Sequence, residues 1–366
     1  MRGFFNQTRA GQPLSFGRSQ VILFLLAAAL VGCGGSDSSE RLRVSLTATT
    51  KPSYVQTVYG PVHYGPEFGL NMTRDDFVVF QSHATATQSV LSGQTSILGG
   101  SFISHLLLRE AGQDFKVFCP FVNLDDFVMV GRNGVSQVEQ LFDPDVRVAI
   151  DSPGGAGGII LNAMLQAAGT GKTVADLPNA RILESSSLRT SVFVADGVDA
   201  TVLHLAQFKQ TSGEIPDAVI IASLYEDVPV FIKEAYAATG RWLEENQELA
   251  AAFCACVLKA ARELPQDFDL YVQAVNGIVG EPPGREVLRE VFDLIVKYEF
   301  WPKNGGLDPE TITFMAQLAV DVGVLNEVPD PAEVVDRRPL ERALELLGGR
   351  VGLPGESSQT VSKPEE

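Results

Sequence analysis

The 366-residue sequence is short of positive charge: 28 Lys and Arg stand against 45 Asp and Glu, a formal net charge of −17. That deficit argues against a nucleic-acid partner, whose phosphates call for clustered cations. Cysteine is scarce as well, with Cys33, Cys119, Cys254 and Cys256 making up the full set of four. No C-x-x-C pair or His-rich tract accompanies them, so the usual zinc-binding patterns are excluded. Cys254 and Cys256 are too close for an ordinary bridge and lie in a helical run. The inner cysteines therefore read as small buried hydrophobes, with a bridge from Cys119 left open in an oxidising compartment. A membrane-spanning run is missing too. The unbroken apolar stretch 21–31 is about half of the roughly 20 residues that a spanning helix needs. A P-loop is absent, because Gly171-Lys172-Thr173 follows a helix where it should open one.

What that short apolar stretch does fit is a signal h-region. Arg2, Arg9 and Arg18 precede it, no acidic residue occurs before Asp37, and it closes on Leu30-Val31-Gly32-Cys33. This order resembles a bacterial lipobox, which makes 1–32 a signal peptide, Cys33 the lipidated N-terminus and 33–41 a small, polar tether. The alternative is an ordinary signal peptide with an accidental cysteine. Removing the three arginines takes the charge from −17 to −20. Hydrophobic content of 45% with 20% charged residues describes a well-cored body, long enough for two lobes.

Behind the tether, strands and helices alternate. Strands are predicted at 42–48, 77–81, 96–100 and 115–122, with helices opening at Ser82 and spanning 102–109; 51–64 reads as a loop. After a crossing segment, 127–131, come strands at 147–150, 181–183, 199–203 and 218–222, with helices at 159–168 and 188–194. Such alternation predicts mainly parallel sheets with helices on their faces. From Val230 the pattern turns helical, over 241–263, 286–298, 309–322 and 339–347. The expected division is 42–125 for the first part of lobe 1, 126–224 for lobe 2, 225–350 for the return to lobe 1 with C-terminal helices, and 351–366 for a disordered tail.

Several segments, in order, carry a resemblance. Phe80-Gln81-Ser82 through Leu91-Ser92-Gly93-Gln94-Thr95-Ser96-Ile97 resembles the strand, ligand loop, helix and turn of a solute-binding family. That family serves ABC importers of nitrate, sulfonates, taurine and the thiamine pyrimidine precursor. Val148-Ala149-Ile150-Asp151-Ser152-Pro153-Gly154-Gly155 is similar to its loop before the second-lobe helix. Ala195-Asp196-Gly197-Val198-Asp199-Ala200 is similar to its Gly-x-Val-Asp-Ala strand entry. Trp242 through Phe253, Gly306-Leu307-Asp308-Pro309-Glu310 and 334–344 resemble its return helix and closing segments. Thr95 and Ser96 depart from it, where an aliphatic residue and Asp are usual. The resemblance implies an α/β periplasmic-binding-protein type II fold, two lobes joined by two crossing strands that close over a small solute. It implies an ABC permease and ATPase as partners, a monomer touching the membrane through its lipid alone, and no cofactor, metal or covalent chemistry. An enzyme related to thiamine-pyrimidine synthesis and a ligand-sensing ectodomain are the alternatives.

Ligands of such folds bind beyond the carboxyl ends of the strands. The candidates there are Tyr59, His63, Ser82, His83, Thr85, Gly100, Ser101, Phe102, Ser152, Gly154, Gly155, Ser185 and His204. The turn from Ser152 to Gly158 stands out, since its backbone N–H groups and helix dipole suit an anionic or carbonyl oxygen; a tight turn needing glycine is the other reading. Ser82 or Thr85 alternatively caps a helix. His63, His83 and His204 read as neutral hydrogen-bonding groups unless they converge on a metal. No Arg or Lys falls in these loops, which tilts the expected solute towards a neutral, heteroaromatic or singly charged molecule.

Overall fold

The computed structural model describes residues 41–47, 50–80 and 82–352. Cys33, the signal segment and most of the tether and tail lie outside them. Arg41, assigned to the tether from sequence, instead belongs to the body: its guanidinium pairs with buried Asp76.

Lobe 1 opens with β1 (Val44–Leu46), α1 (Gln56–Tyr64), β2 (Phe77–Val79), α2 (His83–Leu91), β3 (Ile97–Ser101), α3 (Phe102–Glu110) and β4 (Phe115–Val122). The chain then crosses into lobe 2: β5 (Phe127–Gly131), β6 (Val148–Ile150), α4 (Ala156–Ala167), β7 (Ala180–Ile182), α5 (Ser186–Val194), β8 (Ala200–His204), α6 (Leu205–Thr211) and β9 (Val219–Ser223). A short α7 (Leu224–Asp227) leads to the second crossing and into β10 (Glu234–Thr239) of lobe 1. Helices finish the chain: α8 (Gly240–Glu245), α9 (Gln247–Glu263), α10 (Phe268–Ile278), α11 (Arg285–Tyr298), α12 (Pro309–Asp321), α13 (Pro331–Val334) and α14 (Arg338–Leu346). Among the described residues no helix is long and apolar enough to cross a membrane.

The two sheets follow one plan. Their strand orders are β2-β1-β3-β10-β4 and β7-β6-β8-β5-β9. In each, four of the five strands run in one direction, and the strand arriving from the other lobe, β10 or β5, lies antiparallel between two of them. Alternation of strands with helices produces the parallel part, because each connection must return across a face of its sheet. The fold class is thus the one read from sequence.

Two readings fail. The stretch 51–64 is a 3-10 turn followed by α1, which forms despite Pro61 because its faces pack on α9; Gly60 lies so close there that a Cβ would stand 2.5 Å from the Cys256 carbonyl. And β10 was absent from the helical reading after Val230: Glu-Ala-Tyr-Ala-Ala-Thr has no strand-like alternation, and its pairing with both β3 and β4 supplies what its composition does not. Cys119 of β4 is bridged to Cys254 of α9, and only Cys256 is free, and buried, among the described cysteines. The bridge fastens the return helix to the sheet, so two of the three inner cysteines are not mere apolar filling.

Candidate functional site: the interlobe cleft and its hinge

The chain passes between lobes twice, at 123–126 and at 228–233. Both crossings carry charge into the interior. Asp125 and Asp126 lie on the first and Lys233 on the second, all buried. The Lys233 ammonium touches both the Asp125 carboxylate and the Tyr54 hydroxyl, and Tyr54 itself donates to Asp125 Oδ2 at 2.5 Å. Lys233 also stands over the rings of Tyr54 and Phe127. Burial and the neighbouring Asp126 carboxylate push Asp125 up to about 7, and burial pulls Lys233 well below the ammonium range. Loss of water is the main cause of both shifts, offset in part by His204 and Lys51 at Asp125 and by Glu234 at Lys233.

His204, at the end of β8, joins this cluster from lobe 2. Its Nδ1 lies 2.6 Å from Asp126 Oδ1, and its Nε2 lies 2.5 Å from the ammonium of Lys51 in the loop after β1. An ammonium can only donate, so Nε2 accepts and Nδ1–H donates to Asp126: a neutral imidazole with a fixed tautomer. Burial and the Lys51 charge hold its pKa down at about 3. Lys51 to His204 is a bridge from lobe 1 to lobe 2. Asp125, Asp126 and His204 offer donor atoms within 4.8 Å of one another, yet each is already engaged by an ammonium or by a neighbour in the cluster. A metal ion there would have to displace Lys51 and Lys233.

The Gly-rich turn of lobe 2 does not wait for an anion, because it already holds one. The Asp151 carboxylate accepts from the backbone N–H groups of Ser152, Gly157 and Gly158 at 2.8–2.9 Å. That explains the glycines: a Cβ at Gly155 would stand 2.5 Å from the Asp151 carboxylate, and one at Gly158 would stand 2.0 Å from the Ser152 carbonyl. Gly154 abuts Val324, beyond α12. The tight-turn reading prevails over the oxyanion reading. Ser185 behaves likewise, capping α5 by accepting from Leu188 N. Buried Arg189 then donates to the carbonyls of Leu183, Glu184 and Val202, tying the loop to β8.

In lobe 1, Ser82 caps α2 through Thr85 N, and the Thr85 hydroxyl folds back on Ser82. Both are occupied locally. Phe102 is fully buried in the core, its N–H donated to the Lys233 carbonyl, and so cannot wall a ligand. Tyr59 and His63 stack on each other in α1 beside Tyr64, which donates to Glu263 of α9; the loop that would have presented them is a helix. His83 and Gly100 sit together at the ends of α2 and β3, near Thr47. His63, His83 and His204 do not converge.

Two spaces separate the lobes. Ser101 of lobe 1 faces Gly154 and Gly155 of lobe 2 across a gap of about 10 Å³, closed off by Phe231, Lys233 and Met315. Beside the hinge cluster the cleft widens to about 420 Å³, lined by Lys51, Asp126 and His204 within and by Ser186, Gln207 and Pro282 further out. That is in the range of small-molecule sites.

No protein-family model and no curated protein sequence matches the chain. Solved structures do. The putative periplasmic sulfonate-binding protein SsuA of Methylobacillus flagellatus superposes with a TM-score of 0.65 at 14% identity, over 84% of this chain and 94% of that one. The ligand-binding component of an ABC-type import system of Staphylococcus aureus gives 0.63 at 12%, over 82% and 98%. The periplasmic nitrate-binding protein NrtA of Synechocystis gives 0.61 at 13%, over 84% and 88%. The chain has the two-lobed periplasmic-binding-protein fold.

In this binding-protein fold the residues that sequence reasoning missed are the charged ones of the hinge. Lys51 and Lys233 bring cations to a cleft expected to have none. Lys51 opens the predicted loop 51–64 but falls outside its expected ligand-facing part, and Lys233 lies in a stretch without a predicted strand. A signal existed: Leu124-Asp125-Asp126-Phe127 and Ile232-Lys233-Glu234-Ala235 each interrupt apolar sequence with charge. Charges that enter a core need partners, so the Asp pair of one interruption and the Lys of the other point to each other.

Proposed function

We propose that this chain is a lipid-anchored extracytoplasmic solute-binding protein, tethered through Cys33, that captures a small organic solute or anion between its lobes and delivers it to an ABC permease and ATPase. The carrying observation is the pair of facing lobes connected by two charged crossings, with a cleft of about 420 Å³ opening beside them. Binding and not catalysis is the activity: the solute touches both lobes, so it favours closure by its differential affinity for the closed state. Lys51 gives the cleft a cation that can leave His204 for an acidic group of the solute, while Ser186 and Gln207 offer neutral hydrogen bonds. The solute class this favours is a small polar molecule with one acidic group, the singly charged option among those the sequence left open.

The test is thermal-shift screening of the body against small carboxylates, sulfonates and heteroaromatics. A true solute at 100 times its Kd adds about 2.7 kcal/mol, and small-angle scattering should show the lobes drawing together. Stabilisation by none of the three classes would sink the reading. Stabilisation by heteroaromatics alone would keep the binding role and overturn the acidic-solute assignment.

A further inference from the structure

In lobe 1, α2 and α3 lie side by side on one face of the sheet, and two imidazoles meet between them. The rings of His83 and His105 have centroids 5.6 Å apart. They stand over the paired residues Gly100 and Ala235 of β3 and β10, which are too small to fill the space themselves. His105 is 2% exposed and bonds through Nε2 to the Ala235 carbonyl. Its Nδ1 has no hydrogen-bond partner among the described residues, and neither ring nitrogen of His83 has one. One turn along the same face of α2, the hydroxyl of buried Thr87 is unpartnered as well. Buried polar atoms are nearly always paired. Four unpaired ones on two facing helices point to something that belongs between them.

We infer that His83 and His105 form a binding site for a divalent transition-metal ion of borderline softness, of the zinc, cobalt or nickel kind. Neutral imidazole is the commonest side-chain ligand for such ions. Two imidazoles on one tetrahedral ion, with metal–nitrogen bonds of about 2.0–2.1 Å, place their ring centroids roughly 5 Å apart, close to the separation found. The Nε2 bond of His105 to a backbone carbonyl is the outer contact that such a ligand ordinarily has, leaving Nδ1 for the metal. Two imidazoles do not saturate the ion, so further positions are left to water.

The experiment uses the full chain without a histidine tag, stripped with chelator and titrated with Zn²⁺ or Co²⁺ alone. The expected result is one equivalent of bound metal with a visible Co²⁺ absorption band. His83→Ala should weaken binding at least about 100-fold, more than loss of an outer partner would. His83 is only partly buried at a helix start, so this variant should fold, which circular dichroism checks. Metal binding of equal strength in wild type and His83→Ala would overturn the assignment, as would no saturable binding at all. Because no solute is added, failure here leaves the solute-binding reading untouched, and failure of the solute screen leaves the metal site standing.

Discussion

In lobe 2 the loops beyond the strand ends close on themselves: Asp151 occupies the N–H groups of the Gly-rich turn, Ser185 caps α5, and Arg189 gathers three carbonyls behind them. Lobe 1, built on the same strand plan, leaves His83, Thr87 and His105 with unpaired nitrogens and a hydroxyl. A loop whose donors are used internally keeps its shape but has little left to offer a ligand. Under the proposed solute-binding role, recognition falls to lobe 1 and the hinge cluster. Lobe 2 contributes a preformed wall, the hydroxyls of Ser186 and Ser187, and His204.

The sharpest way to test that division is at the hinge, which belongs to both lobes. Lys233→Met should cost about 3–5 kcal/mol, since it strands the buried Asp125 carboxylate. The double variant Lys233→Met/Asp125→Leu should recover most of the loss, because the uncompensated charge is gone. Urea denaturation of both reads this, and an undisturbed single variant would mean that the crossings are not held by charge. Next in size, Asp151→Ala leaves three backbone N–H groups without an acceptor and should cost about 2–3 kcal/mol. Affinity for any solute found by screening should move little. If affinity collapses while stability holds, the turn serves the ligand after all and the contrast between lobes is broken.

A third effect lies behind the lobe 2 sheet. Asp199 accepts from the Arg147 guanidinium and backbone and from Asn133, and Arg147 above all holds its carboxyl well below the usual range. The unfolded chain, at about 3.9, thus binds the proton first. The contribution of Asp199 is complete above that value and is lost as pH falls through it towards the folded pKa. Asp199→Asn should cost about 1.5–2 kcal/mol at pH 7, and the two stability curves should converge in acid. Parallel curves between pH 2 and pH 7 would refute the link.

The outline of this contrast was legible in the sequence, but its content was not. Strand–helix alternation gave both sheets, and β4 and β5 were read to the residue, since continuous apolar runs flanked by polar turns leave little choice. β10 escaped because an Ala-rich segment becomes a strand only through the neighbours that pair with it. Of the residues in the strand-end loops, Ser101 and His204 line the spaces between the lobes, whereas Gly100 lies buried beside Thr47 and His83. What failed was the assignment of tasks. Ser82, Thr85 and Ser185 are residue types that suit a cap and a ligand equally, and only distance separates the two uses. Asp151 stood beside its own glycines, yet no spacing rule says that a carboxylate will turn back six and seven residues along the chain. His105 carried no signal, lying mid-helix among leucines, and it acquires a partner only when α2 and α3 are laid side by side.

The smallest effect is also the most discriminating, because it separates capping from recognition at a single residue. Ser185→Ala removes the acceptor for Leu188 N and should cost about 1 kcal/mol. A ligand-contacting serine that also braces its loop would give the same result, so the alanine variant decides nothing by itself. Asp is as good an N-cap as Ser, and its charge is favoured at a helix start, so Ser185→Asp should restore the stability. It would also put a carboxylate next to Ser186, at the edge of the cleft. If Ser185 only caps, an acidic solute held at Lys51 should lose no more than about two- to threefold in affinity, the size of a screened charge effect at a distance. A loss of 100-fold or more in a fully stable Ser185→Asp variant would place the solute against the start of α5, and lobe 2 would then recognise as well as enclose.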